Sequence, residues 1–315
     1  MAALTPRKGA IKNIAFMALM CAVNALFSIL AAFVPLSAVF LCLFLPLSSA
    51  LVGFYCEGKY APIYLIASIA LSLGCTAWDL SSALFYTIPA ILTGFAYGFL
   101  KKIGLGSAWT IFAVSLLNEG LAYLSMPLIR VMYEIEMEQS LLALIGLSES
   151  AFAHVLFPAA VLAFSLAQIA LVSLFIDLIW PKLAQEKQSG FKIPAVFTPI
   201  MVLFLSLLVL VLGFFNTPTS YFFLTAAVYW AVQSTFQMFP ASHRWLYFIY
   251  GGLFLAGLAC FASCFSLLPD PLGLLLFAAF LSAWCLGALL QDLLLWKQKS
   301  TPKIKTQPGE KGGLR

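Results

Sequence analysis

Long apolar runs recur along almost the whole of this chain and constrain its fold more than any other feature. Each run has about twenty residues, which at roughly 1.5 Å per residue spans the ~30 Å hydrocarbon core of a bilayer. Charged residues make up 9% of the sequence, whereas a soluble domain has roughly 25%. The sequence therefore predicts an all-α, polytopic integral membrane protein. We expect about ten transmembrane helices, at 13–34, 36–56, 61–78, 83–100, 107–128, 152–180, 195–215, 219–239, 245–266 and 272–296.

The distribution of basic residues predicts how these helices are oriented. Sixteen of the 17 Lys and Arg residues fall in connections on one side, and Arg130 falls on the other. The positive-inside rule then places both termini in the cytoplasm of a cell with this protein in its cell membrane. The net charge of +5 is explained by topology, so we expect no nucleic-acid partner. The first run, 14–34, is too long for a signal peptide and is interpreted as an uncleaved span.

A polar stretch at 182–194 divides the predicted helices into two groups. It is the most polar internal part of the chain, and we interpret it as a cytoplasmic linker. Before it, residues 1–181 hold six predicted spans, and after it, residues 195–296 hold four. The basic tail, 297–315, is predicted to be disordered and cytoplasmic, in contact with lipid head groups.

Motifs for catalysis and metal binding are missing from the sequence. There is no Walker A motif, no HExxH and no GxSxG, so the chain does not hydrolyse ATP by itself. The 7 cysteines include no CxxC pair, and the predicted topology places His154 and His243 at opposite faces of the membrane. We therefore expect the protein not to be an enzyme and to hold neither a metal nor a cofactor.

Two polar residues interrupt the fifth apolar span near its middle, Asn118 and Glu119. An ionisable side chain near the bilayer midplane costs at least ~2.5 kcal/mol, and such residues usually face a partner, a cavity or a substrate. Tyr123 follows Glu119 by four residues and shares its helix face. Glu119 is thus a candidate for a binding site. The alternative is a protonated or hydrogen-bonded carboxyl with a structural role, and the sequence leaves both open.

Residues at the predicted outer face could complete such a site. Trp78 ends the third span as an interfacial anchor would, and Asp79 beside it could line an outward-facing pocket. Arg130 begins the only long outer connection, 129–151, which we expect to form an interfacial helix or a lid over an outward cavity, with a solvated loop as the alternative. The candidate substrate-binding residues are Trp78, Asp79, Asn118, Glu119, Tyr123 and Arg130.

Two patterns of small residues predict close helix packing. Gly94 and Gly98 form a GxxxG in the fourth span, which favours packing inside the chain. The other pattern is a stripe of alanines on the first span. It predicts either packing within the chain or docking of a partner subunit. Its members are Ala15, Ala18, Ala22 and Ala25.

Short motifs in the N-terminal half resemble a known family. They are Ile-Lys-Asn-Ile-Ala-Phe-Met-Ala-Leu-Met-Cys-Ala-Val-Asn-Ala at 11–25, Phe-Leu-Pro-Leu-Ser at 44–48, Gly-Phe-Tyr-Cys-Glu-Gly-Lys at 53–59 and Pro-Ala-Ile-Leu-Thr-Gly-Phe-Ala-Tyr-Gly at 89–98. They resemble the YybS-like family of bacterial membrane proteins, related to the substrate-binding (S) components of energy-coupling factor (ECF) transporters. The likeness covers residues 11 to about 180. The chain departs from an S component in having four additional spans.

The resemblance implies a six-helix, S-component-like unit whose outer connections close over a small, vitamin-like ligand. It also implies that the alanine stripe docks on a transmembrane coupling subunit, with energy from separate ATPase subunits. We therefore expect a membrane-embedded small-molecule binding or transport subunit. One alternative is a self-contained secondary transporter of five plus five inverted spans. The other is a non-transporting membrane scaffold or regulator.

Overall fold

The computed structural model of the chain describes residues 9–33, 35–78, 80, 83–134, 136–144, 146, 151–179, 197–238, 252, 254–257, 259, 272–274 and 276–286. This part of the chain is helical throughout, with short turns between the helices and no strand. The helices are α1 Ala10–Phe33, α2 Pro35–Tyr55, α3 Ala61–Cys75, α4 Ile88–Lys102, α5 Ser107–Tyr133, α6 Met137–Leu144, α7 Ala151–Ile179, α8 Phe197–Gly213 and α9 Thr217–Met238. Residues 272–274 and 276–286 are helical as well.

Four helical stretches among the described residues are long and apolar enough to cross a membrane. They are Ala10–Ala31, Gly58–Cys75, Ser107–Tyr133 and Ala153–Leu178. Shorter apolar stretches include Phe44–Tyr55 and Phe197–Gly213. The predicted all-α class is confirmed, and these stretches indicate a membrane protein. The number of about ten spans stays a prediction, and the linker 182–194 and the tail 297–315 lie outside the described residues.

The contacts between residues divide the chain into two compact units. The first unit is Met1–Pro194 together with Phe214–Ala226, and the second is Ala195–Gly213 together with Ala227–Arg315. The N-terminal part of α9 therefore belongs to the first unit. In the second unit, α8 buries one face through Val202, Leu205 and Val209.

Helices α2 and α4 approach most closely where glycines face the opposite backbone. A Cβ atom at Gly94 would overlap the carbonyl group of Pro46, and one at Gly98 would overlap the carbonyl group of Ala50. Gly53 on α2 faces α4 in the same way. The predicted packing role of the GxxxG is therefore confirmed, because only hydrogen atoms fit between the two backbones.

A fully buried polar cluster joins α1, α2 and α3. The amide nitrogen Nδ2 of Asn24 lies 2.9 Å from the Tyr64 hydroxyl and 2.8 Å from Ser68 Oγ on α3. It also lies 3.1 Å from Ser49 Oγ on α2, and Ser48 Oγ donates to its Oδ1 atom. Burying an amide is costly unless it is hydrogen-bonded, so this cluster fixes the register of the three helices.

A second set of polar contacts joins the start of α1 to the turn between α2 and α3. The Glu57 backbone N–H donates to Asn13 Oδ1 at 3.1 Å, and the Gly9 N–H donates to Glu57 Oε1 at 3.3 Å. Lys59 Nζ lies 2.7 Å from Glu57 Oε2. The Lys59 ammonium and the Gly9 N–H lower the pKa of Glu57. The stabilisation from these contacts is therefore present at neutral pH and is lost as the pH falls through that lowered value.

We expect Gly98→Leu to destabilise the protein, because the new side chain has to push α2 and α4 apart. Overpacking typically costs about 1–3 kcal/mol, so thermal unfolding of the full chain in detergent should show a clearly lower Tm. The matched control is Gly74→Leu on α3, where a Cβ meets nothing within 4 Å. Equal Tm values for the two variants would show that the glycine contact does not hold these helices together.

Candidate functional site

A cavity of about 440 Å³ opens beside Glu119 in the first unit. Its described lining comes from α5, α7 and the part of α9 that belongs to this unit. The volume falls within the range of roughly 300–1,000 Å³ that small-molecule pockets occupy. The lining residues are Leu116, Glu119, Gly120, Tyr123, Pro158, Pro218, Thr219 and Phe222.

The spacing of residues on α5 explains why one face of this helix borders the cavity. Leu116, Glu119 and Tyr123 recur at three- and four-residue intervals, which places them one above the other on a helix. Gly120 widens the space, because a Cβ at this position would meet nothing within 4 Å. The missing side chain therefore leaves open space on the helix surface next to Glu119.

Glu119 is the only acid among the described lining residues, and its carboxyl group is unpaired. The residue is 4% exposed, and neither carboxyl oxygen has a hydrogen-bond partner in the part of the chain that the structure describes. None of the described lining residues is Lys, Arg or His. A buried carboxylate without a partner is strongly unfavourable, so the site is incomplete until a proton or a cation occupies it.

Asn118 lies on a different face of α5 from Glu119 and does not line the cavity. Its Nδ2 atom donates to Ser165 Oγ at 2.9 Å and to Gln168 Oε1 at 3.2 Å, both on α7. Ser115 Oγ also donates to the backbone carbonyl of Ser165, at 3.2 Å. Because neighbouring helix residues point about 100° apart, Asn118 ties α5 to α7 while Glu119 faces the cavity.

Three other candidate residues lie away from the cavity or outside the described part. Trp78 is 60% exposed and packs on Phe33 with ring centroids 5.3 Å apart. Arg130 is exposed and its Nη2 atom lies 3.1 Å from Glu136 Oε1. Asp79 lies outside the described residues. Of the six candidates, the structure brings Glu119 and Tyr123 together at the cavity.

The predicted outer connection, 129–151, starts later than expected, because α5 continues to Tyr133. It contains a short helix, α6, and the role of this segment as an interfacial helix or a lid stays a prediction. Leu142 of α6 is buried in a small apolar cluster with Ala153 and Phe157 of α7. His154 Nδ1 lies 2.8 Å from Glu138 Oε1. The histidine therefore contacts an acid on α6 and not Glu119, and α6 is held against the start of α7.

The alanine stripe of α1 is exposed along most of its length. Ala15, Ala18 and Ala22 are exposed, whereas Ala25 is 6% exposed and belongs to the buried side of the helix. The predicted docking face is thus formed by three of the four alanines, and Ala25 serves the internal packing of the first unit.

Several residues of the cavity were not among the candidates from the sequence. Thr219 and Phe222 come from α9, about a hundred residues after Glu119, and no sequence signal connects them to α5. Gly120 did carry a signal, since a glycine beside a buried acid in a helix leaves open space. Asn24, which belongs to the buried polar cluster and not to the cavity, also carried a sequence signal, because it is a single amide in the middle of the first apolar run.

Among the described residues, no group of three or more His, Cys, Asp or Glu is arranged to hold a metal ion. Comparisons of the chain with protein-family models, with curated proteins and with solved structures gave no match. Inferences about function therefore depend on the sequence and on the geometry of this cavity.

The different surroundings of Asn118 and Glu119 predict that substitutions at the two positions differ in their effect on stability. We expect Asn118→Ala to destabilise the protein by roughly 0.6–1.7 kcal/mol, which are the average and the maximum measured for hydrogen bonds between membrane helices. Glu119→Gln should cause no loss, because it replaces an unpaired ionisable group by a neutral one of the same shape. Thermal unfolding in detergent measures both. A larger loss for Glu119→Gln would mean that the carboxyl has a structural partner.

Proposed function

We propose that this protein is a membrane-embedded binding protein for a small, vitamin-like solute, and that the cavity beside Glu119 is its binding site. The observation that carries the proposal is Glu119, which lines a ligand-sized cavity and whose carboxyl group is buried and unpaired among the described residues. A carboxyl that only filled space would destabilise the unit and gain nothing in return. A solute that pairs with it would offset that cost.

On this proposal the chain is the substrate-specific subunit of a transporter. The sequence contains no Walker motif, so ATP-driven uptake would need separate ATPase subunits and a transmembrane coupling subunit. The exposed face of α1 at Ala15, Ala18 and Ala22 is the surface proposed for the coupling subunit, because small residues let another helix approach closely.

The same carboxyl group favours a second candidate, a self-contained secondary transporter. Intramembrane acids commonly serve as proton relays in transporters, and Glu119 would then carry the coupling proton. The two candidates differ in their partners, since a secondary transporter needs neither a coupling subunit nor ATPases.

The site is tested by purifying the tagged full chain in mild detergent and measuring bound small molecules by native mass spectrometry. We expect the wild-type protein to retain a small molecule. The variant Gly120→Leu, whose new side chain fills the cavity, should lower the fraction of protein that carries this molecule about tenfold or more, equivalent to ~1.4 kcal/mol. Gly74→Leu, a glycine on α3 with open space around it, should retain the molecule. A wild-type chain without any bound solute, or equal occupancy in Gly120→Leu, would contradict the proposal.

Proteomic analysis of the same preparation separates the two transport candidates. Recovery of a coupling subunit and ATPases that is lost on Ala18→Leu would support the subunit role. The control Leu174→Ala, at an exposed position on α7, should keep it. Recovery of the chain alone with its solute would favour the secondary transporter. Recovery of unrelated membrane proteins without solute would favour a scaffold.

A further inference from the structure

We infer that the cavity selects organic solutes that carry one positive charge on an apolar or aromatic body. The inference rests on the proposed function, because it assigns the chemical class of the solute that the cavity would bind. It also makes a separate claim, since a cavity of this size could equally hold a neutral or an anionic solute.

The charge of the lining supports a single cation. Glu119 contributes one acid, and the described lining contains no base. Arg130, the nearest basic residue along α5, is eleven positions away, roughly 16 Å along a helix, and it already contacts Glu136. A monocation would leave the site neutral. A neutral solute would require Glu119 to take up a proton and would gain no ionic contact, and an anion would add a like charge to an ionised carboxylate in a low-dielectric site.

The remaining surface of the cavity suits an apolar or aromatic body. Leu116, Pro158 and Pro218 present aliphatic surface. Tyr123 and Phe222 present aromatic rings, whose faces attract a cation and also pack against apolar groups. Such a lining accepts hydrocarbon and one charge, but it has few groups for a strongly polar solute such as a sugar.

Two hydroxyl groups supply the rest of the polar lining. Tyr123 lies one helical turn beyond Glu119, and Thr219 lies on α9. Each hydroxyl can donate or accept one hydrogen bond, so together with the carboxyl they can orient a solute that carries one additional polar group.

The test compares three probes that share one phenylbutyl body and differ in their head group: 4-phenylbutylamine, 4-phenylbutan-1-ol and 5-phenylpentanoate. Their binding to the purified full chain in detergent is measured by isothermal titration calorimetry. We expect the ammonium probe to bind at least about tenfold more tightly than the alcohol, or ~1.4 kcal/mol, and the carboxylate to bind most weakly. Glu119→Gln should abolish the preference for the ammonium. Glu136→Gln, which removes a half-buried acid that is not among the lining residues of the cavity, should retain it.

The outcomes separate this inference from the function on which it rests. Equal binding of the ammonium probe and the alcohol by the wild-type protein, or an unchanged preference in Glu119→Gln, would overturn the charge selection. If Gly120→Leu weakened the alcohol or the carboxylate at the same time, the cavity would still be a binding site and the proposed function would stand. Failure of the ammonium probe to bind at all would also overturn the inference, and the co-purified solute would remain the independent test of function.

Discussion

Inside a hydrocarbon core a polar group has to find its partner within the protein, and the first unit depends on how this constraint is met. The amide of Asn24 is hydrogen-bonded to hydroxyl groups on two neighbouring helices, and the amide of Asn118 is hydrogen-bonded to side chains on α7. Glu119 does not meet this constraint among the described residues. The unit therefore contains satisfied amides that hold helices together and, beside open space, a buried acid without a hydrogen-bond partner among the described residues.

The close packing of α2 and α4 gives the cavity a firm support. α4 packs against α2 through its glycines and also contacts α5, the helix that carries Glu119. Side chains on helices that are held in this way keep their positions better than side chains on loops. The hydrogen bonds from Asn118 to α7 act in the same direction, because they fix the rotation of α5 that turns Glu119 towards the cavity.

The sequence predicted the all-helical class and a cavity beside Glu119, because the length of the apolar runs and the burial of an ionisable side chain can both be read locally. It did not separate the roles of Asn118 and Glu119, since that depends on where α7 packs around α5. It also missed Thr219 and Phe222, because the position of α9 at the cavity is set by tertiary packing alone. Trp78 and Arg130 were suitable in chemistry and predicted depth, but they lie elsewhere in the fold.

The distance in sequence between the two sides of the cavity has a consequence for biosynthesis. Phe222 is translated about a hundred residues after Glu119, which at roughly 5–20 residues per second is a delay of about 5 to 20 s. The cluster around Asn24 uses only helices made earlier, so it can assemble before α5 is released into the bilayer. For these seconds the nascent chain therefore contains the helix with Glu119 while one wall of the cavity is still missing. During this interval an insertase, a chaperone or a membrane protease has access to that helix.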